Sequence, residues 1–431
     1  MFIIEKNKLG FLLILFILLS YFLGFYIREI SNGAGHIDLE HHIWLVISDL
    51  KKDYFQTILN YQNNGYGEAT FPFFHSFQSF LNPATKNIFY CLNNTIFNLL
   101  VIFIFYKFLK LKKIGFENNF FVILIPFVVL LSPWFRSSSY WGMTENFSFI
   151  FLIPSLYLLD LLIKEKISFK KNLLLTFFIS LTLYARQQFI FLALFHILLL
   201  ILNRNKKDLF FTLIFYLFLS MPGFYVLFIW GVFNDLSQAS TQSGNLDIKN
   251  IFLSIPKISS LFFFYSIPLI LINFSKFFKI FLSKKNLMIF VIIFIIKIFL
   301  YHDIEYSLKS GGYIVKFTQF FLNNDPSLLI LISSAFFAFI ISVINLDNYK
   351  YFLILPFIYL NYGFVWSIYQ EWFDPLYLFI YYIFFSKDHI SNLKLNTSNT
   401  IKIIFAWEFF VLVVALTYYH GIKNIPFFYS F

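Results

Sequence analysis

The sequence predicts an all-α polytopic membrane protein. It reads as a single membrane-embedded domain over residues 1–431, with about 11–13 transmembrane helices and an amphipathic first outer loop at 28–87. Three observations carry that prediction. The chain is 59% hydrophobic and 13% charged, with a mean hydropathy of +0.74, which is a membrane composition rather than a soluble one. Apolar stretches recur along its whole length, separated by short polar intervals. The lysines gather in alternate intervals. A single cysteine, Cys91, excludes an intramolecular disulfide and a cysteine-based metal cluster. The net charge of +11 fits membrane orientation rather than a nucleic-acid partner, because the basic residues sit between apolar stretches. The 67 phenylalanines accompany abundant Ile, Lys and Asn, the mark of an AT-rich coding sequence rather than of a function.

In chain order, Leu9 to Ile27 form the first apolar span, behind Lys6 and Lys8. A signal peptide has the same basic-then-apolar order, but the long run and the lack of an A-x-A site favour an uncleaved anchor. The stretch from Gly35 to Pro83 follows, the longest polar interval in the chain. It opens with His36, Asp38, Glu40, His41 and His42. Ile37, Trp44, Ile47, Ile58 and Tyr61 then recur at helical spacing, which predicts an amphipathic helix lying on the membrane surface. Further apolar stretches fall near 88–106, 119–134, 141–163, 172–184, 188–202 and 208–232. The remainder lie near 258–274, 286–301, 326–345, 351–369, 373–386 and 401–420. Several are shorter than the ~20 residues of a full crossing. The short pair around Arg186 is either two elements or one long broken one.

Charge sets the sidedness. With the N-terminus cytoplasmic and sides alternating, four basic clusters fall inside: Lys107 to Lys113, Lys164 to Lys171, Arg204 to Lys207, and Lys276 to Lys285. The outer side collects the His36–His75 region, Arg136 to Asn146, Arg186 with Gln187 and Gln188, the 233–250 and 302–325 loops, and Glu371 with Asp374. Polar chemistry is expected to face outward.

Within that face, Asp38 fits a general base toward a hydroxyl, the role a carboxylate fills when its pKa suits the proton it takes. It equally fits a solvated helix start, where acids favour the positive end of the helix dipole. Glu40, two residues on, points elsewhere on a helix. His41 or His42 with Asp38 has i,i+3 or i,i+4 spacing, but no HExxH motif occurs, so no metal is expected and interfacial hydrogen bonding is the ordinary reading. Thr70-Phe71-Pro72-Phe73-Phe74-His75 reads as a membrane-entry turn or simply as the start of the next span. Arg136, Arg186, Lys309 and Lys316 are cations beside apolar segments, where such groups mark a binding site or an ion pair. Arg186 is the best placed to hold a departing phosphate, against the plainer alternative of snorkelling. Glu145 and Glu371 each head a span, which alone accounts for them.

The order of these motifs resembles the dolichyl-phosphate-glucose-dependent α-1,2-glucosyltransferases, members of the wider GT-C class. Asp38 and His42 match that family's M-D-E-x-x-H, with Ile37 and Leu39 departing. Thr70 and Pro72 match its T-T-P-P, and Arg186 with Gln187 its R-Q-T-N. Glu371, Trp372, Phe373, Asp374 and Pro375 follow its E-F-R-Y-x-x-P without the arginine, and Lys309 with Tyr313 partly follows D-N-R-H-Y. The resemblance implies an inverting hexosyltransferase with Asp38 catalytic and Glu40, His42, Thr70, Pro72, His75, Glu145, Arg186, Gln187, Lys309, Tyr313 and Glu371 lining the substrate site. It implies a polyprenyl-phosphate-linked sugar donor, a glycan or lipid-linked acceptor, membrane lipids as surroundings, and no cofactor. A bacterial inner-membrane enzyme using undecaprenyl-phosphate sugars, with its site facing the periplasm, fits the same pattern. The rivals are an envelope glycan polymerase or ligase, a lipid-linked-glycan transporter or flippase, and an O-acyltransferase built on His196.

Overall fold

The structure is a computed structural model that describes residues 2–31, 35–61, 72–82, 86–112, 119–165, 167–229, 248–272, 274–301, 315, 318, 326–343, 349–363, 373–384 and 397–418. Among these residues every regular element is helical and no strand occurs. Among the described residues four helices are long and apolar enough to cross a membrane: Asn87–Leu111, Glu145–Lys164, Lys206–Ile229 and Ile251–Pro268. Five shorter apolar helices accompany them, at Gly10–Tyr26, Gln187–Leu202, Ser327–Ile340, Tyr349–Leu360 and Ile403–Thr417.

The helix α1 (Phe2–Tyr26) carries an apolar outer face, with Phe11, Leu15, Leu19 and Leu23 exposed. Exposed rows of this kind recur far along the chain. The helix Lys206–Ile229 presents Phe210, Leu217, Phe218 and Phe228, and the helix Lys284–Leu300 presents Val291, Ile295 and Phe299. Patches of that size are a liability in water and an ordinary lipid-facing surface in a bilayer, where helices satisfy their own backbone. Membrane association follows.

The 35–61 stretch is broken rather than continuous. It runs as α2 (Gly35–Asp38), a π-turn at Leu39–Ile43, α3 (Trp44–Lys52) and α4 (Tyr54–Leu59). Asp53 makes the break: its backbone is extended (φ −149°, ψ 97°) and its carboxylate caps α4 by accepting from the Gln56 amide. The extra residue in the π-turn also shifts the phase. Of the five apolar positions expected on one side, Trp44, Ile47, Ile58 and Tyr61 are buried or half-buried and Ile37 is exposed, so what is not formed is one continuous helix from Ile37 to Tyr61.

The helices α5 (Phe73–Leu81), α6 (Asn87–Phe97), α7 (Leu99–Leu111), α8 (Asn119–Val128) and α9 (Pro133–Trp141) lead to the central α10 (Glu145–Lys164), most of which is buried. Ser132 starts α9, its hydroxyl accepting from the Phe135 amide, with Pro133 as the first residue. Gly142 ends it in the left-handed region at φ 71°. A Cβ there would stand 2.4 Å from Cε1 of Tyr90, whose hydroxyl donates to the Gly142 carbonyl. Gly142→Ala is therefore expected to cost about 1–3 kcal/mol, read as a lower melting temperature of the detergent-solubilised protein.

The ambiguity at Arg186 resolves as a hairpin. Helices α11 (Phe169–Ala185) and α12 (Ile190–Leu202) are joined by a 3₁₀ turn at Gln187–Phe189. His196 Nε2 lies 2.9 Å from Asn172 Oδ1, although a continuous helix would hold those residues about 36 Å apart. Helix α13 (Lys206–Ile229) runs beside α11, fixed by Asn172 donating to Thr212 (2.7 Å) and Tyr184 donating to the Leu219 carbonyl (2.7 Å). His196, in contact with Tyr216 as well, is a buried structural residue.

The remaining elements are α14 (Ile248–Ile272), α15 (Phe274–Phe281), α16 (Lys284–Leu300), α17 (Ser327–Val343), α18 (Ile354–Gly363), α19 (Leu376–Phe379, continued by a π-turn at Ile380–Phe384) and α20 (Thr397–Tyr418).

Two ionic clusters mark opposite ends of α10. Near its C-terminus, buried Asp160 pairs with Lys112 (3.2 Å) and Lys164 (2.8 Å) and accepts from the Tyr351 hydroxyl (2.6 Å). Lys350 donates to Asn203 alongside. The ends of α7, α10 and α12 thus meet at one basic face, as three of the four lysine-rich intervals require.

Candidate functional site

At the other end of α10 stands an acid–base pair. The backbone of Arg186 leaves the α11 helix and turns extended (φ −153°, ψ 109°), after its amide has closed on the Thr182 carbonyl (2.8 Å). That break carries the guanidinium sideways to Glu145 in the first turn of α10, where Nη2 donates to Oε1. The second Glu145 oxygen accepts from Ser138 Oγ of α9 at 3.2 Å. The side chains of Arg186 and Glu145 are 15% and 17% exposed. The pair is therefore desolvated enough to be strong, yet open enough for a solute to reach it.

Helix α5 forms one wall. Phe74 and Phe77 each lie 5.0 Å from the Phe147 ring, Phe73 lies 5.9 Å from Tyr184, and Phe74 shares a buried cluster with Ala185. Phe147 is two residues past Glu145, and Ala185 immediately precedes Arg186. Pro72 starts α5, its carbonyl accepting from the Ser76 amide, and His75 is fully buried in the first turn. A polar ladder fixes this wall to the rest. Gln78 donates to Asn94, Asn94 to the Ser139 carbonyl, and Asn146 to Ser139 Oγ. Three stretches far apart in sequence, 72–77, 138–147 and 184–187, thus converge.

No family model, curated protein or solved structure matches the chain.

Asp38 sits half-buried at the end of α2, which packs on α9, the helix whose Ser138 reaches Glu145. The helix that carries Asp38 and the Glu145–Arg186 pair therefore both contact α9. Glu40 is exposed and within electrostatic reach of Arg28. The backbone of His42 lies in the π-turn, and the side chains of His36, His41 and His42 fall outside the described residues. Gln187 begins the 3₁₀ turn and is half-buried. Thr70, Lys309, Tyr313 and Glu371 lie outside the described residues. Among the described residues, no three His, Cys, Asp or Glu side chains converge on a metal position.

Arg136 is an ion-pair partner rather than a phosphate holder. Its Nε donates to Glu29 Oε1 at 2.8 Å and Nη2 to Glu29 Oε2, while Nη1 bonds Ser20 Oγ (3.1 Å) and the Leu130 carbonyl (3.2 Å). Nη2 also donates to the Ser20 carbonyl (2.8 Å), and the guanidinium faces the Tyr140 ring at 5.8 Å. This network ties the end of α1 to α9. Gly24 lets it close, because a Cβ there would stand 2.4 Å from Arg136 Nη2. Glu29 was invisible as a partner in the sequence, 107 residues from Arg136. So was Ser138, a serine within a run of three.

Proposed function

We propose that the chain is a membrane glycosyltransferase of GT-C type. It moves a single sugar from a polyprenyl-phosphate donor to a glycan or lipid-linked acceptor on the non-cytoplasmic side. The observation that carries this reading is the partly exposed Arg186–Glu145 pair at a helix break, walled by α5 and set at the end of α10 away from the basic Asp160 face. In this reading the basic face is cytoplasmic, as is the N-terminus, and the 11–13 spans enclose a site that faces the periplasm or lumen.

The chemistry follows from charge and position. The acceptor oxygen attacks the anomeric carbon, the bond from that carbon to the phosphate oxygen breaks, and polyprenyl phosphate leaves with the bonding electrons. Asp38 takes the acceptor proton as its oxygen becomes nucleophilic. Arg186 turns from Glu145 toward the phosphate, where its forked donors match the developing charge. Glu145, itself held by the Ser138 hydroxyl, keeps the guanidinium in place until then. Apolar helix faces give the lipid tail a groove.

Mass spectrometry of lipid-linked and surface glycans from cells lacking the protein tests the reading. The expected result is a glycan short of one sugar, with accumulation of the unextended acceptor. Accumulated unlinked repeat units would indicate a polymerase or ligase instead. An unchanged glycan profile would remove the transferase reading.

A further inference from the structure

A cavity of about 370 Å³ lies at the end of α10 that carries Asp160. Its polar lining is Lys164 and Glu165 from that end, Asn203, Arg204 and Asn205 from the turn between α12 and α13, and Lys350 from the 3₁₀ turn Tyr349–Tyr351. Three stretches far apart in sequence meet there, and each brings a cation. Local structure places them. Asn203 ties two walls together, its Nδ2 donating to the Leu162 carbonyl (3.3 Å) and its Oδ1 accepting from Lys350. Asn205 starts α13, with Oδ1 accepting from the Asp208 amide (3.2 Å). Between them Arg204 sits in the left-handed region at φ 52°. A glycine would close the same turn at less cost, so the turn alone does not call for arginine.

Charge decides what the cavity can hold. Carbonyls at a helix C-terminus repel an anion, but those of Leu199, Leu200 and Ile201 in α12 accept from the amides of Asn203, Asn205 and Arg204. Those of Leu161 and Leu162 in α10 accept from the Glu165 amide and from Asn203. The positive end of the 24-residue α13 begins at the same wall. The neighbouring acids serve other partners: Asp208 accepts from Asn205, and Asp160 is shared between Lys112 and Lys164. Among the described residues Glu165 is the one acid of the lining, against Lys164, Arg204 and Lys350, which leaves an excess of two positive charges.

We infer that this cavity binds a phosphate group. A phosphate monoester carries roughly −1.5 to −2 at pH 7, which balances that excess. The forked donors of Arg204 suit two of its oxygens, and Lys164 and Lys350 add point charges. The volume is that of a small-ligand site. Basic pockets between membrane helices take acidic lipid headgroups, and a free phosphate offers the same chemistry. The inference stands independently of the transferase reading, because its residues lie at the other end of α10 from the Arg186 pair and its test measures no sugar transfer.

Binding to the full-length detergent-solubilised protein at constant ionic strength, with thermal unfolding alongside, tests it. One arm uses inorganic phosphate and the other dioctanoyl phosphatidic acid, with dioctanoyl phosphatidylcholine as the uncharged control. The expected result is about one phosphate group bound per chain and a raised melting temperature, with the control inert. A response to phosphatidic acid alone supports the site and makes its source a lipid headgroup, whereas a response to inorganic phosphate supports it with a soluble source. Arg204→Gly and Lys350→Gln are each expected to weaken binding about tenfold or more. Arg204→Gly also relieves the left-handed backbone, so without ligand it should melt no lower than the wild type, which separates a lost cation from a damaged fold. Absence of binding by both probes to the wild type overturns the site. Binding that survives undiminished in both variants overturns it, as does equal stabilisation by phosphatidylcholine.

Discussion

Asp38→Asn is expected to lower sugar transfer by about 10²–10⁴ while leaving the melting temperature of the protein unchanged. Asparagine keeps the volume and the hydrogen-bonding reach of the half-buried side chain at the end of α2. It loses the negative charge, and with it the ability to take a proton. The loss should fall on the rate with saturating donor, since the donor phosphate is assigned to Arg186. The measurement is transfer from a radiolabelled polyprenyl-phosphate sugar, with donor binding followed separately. Wild-type turnover by this variant would remove Asp38 from the chemistry. A parallel loss of donor binding would make it a positioning residue instead.

The helical membrane class was legible because it rests on composition, which no tertiary contact overrides. The grouping of the basic intervals was legible in part: Lys112, Lys164 and the 203–205 turn end together around Asp160. The continuous helix expected from Ile37 to Tyr61 is divided by two local events, a π-turn at Leu39–Ile43 and the extended Asp53. Neither leaves a Gly or Pro to announce it. Arg186 stood out as a cation between two apolar runs, yet whether the chain turned or continued there depended on the Asn172–His196 contact, which adjacent sequence cannot encode. Glu145 was read as a helix-start acid and is one, in the first turn of α10. Its pairing with Arg186 adds a role that helix-end electrostatics alone did not require. Acids and bases read singly along a chain give positions, whereas their partners come from packing.

Arg136→Met is expected to destabilise the protein by about 3–5 kcal/mol. The substitution leaves Glu29, 1% exposed, as an uncompensated charge beneath α9 and strips donors from Ser20 and Leu130. Glu29→Met should cost a similar amount, for the mirrored reason. The double variant Arg136→Met/Glu29→Met removes both charges at once and should recover much of the loss, short of the ~1 kcal/mol for each acceptor still lacking its hydrogen bond. Thermal or denaturant unfolding in detergent across the four proteins measures the coupling directly. That cycle also separates two roles for the arginine. A guanidinium reserved for phosphate would leave stability nearly unchanged on removal and weaken donor binding instead. A guanidinium that fastens α1 to α9 would show strong non-additivity in unfolding, and the fold around Ser138 and Glu145 would loosen with it.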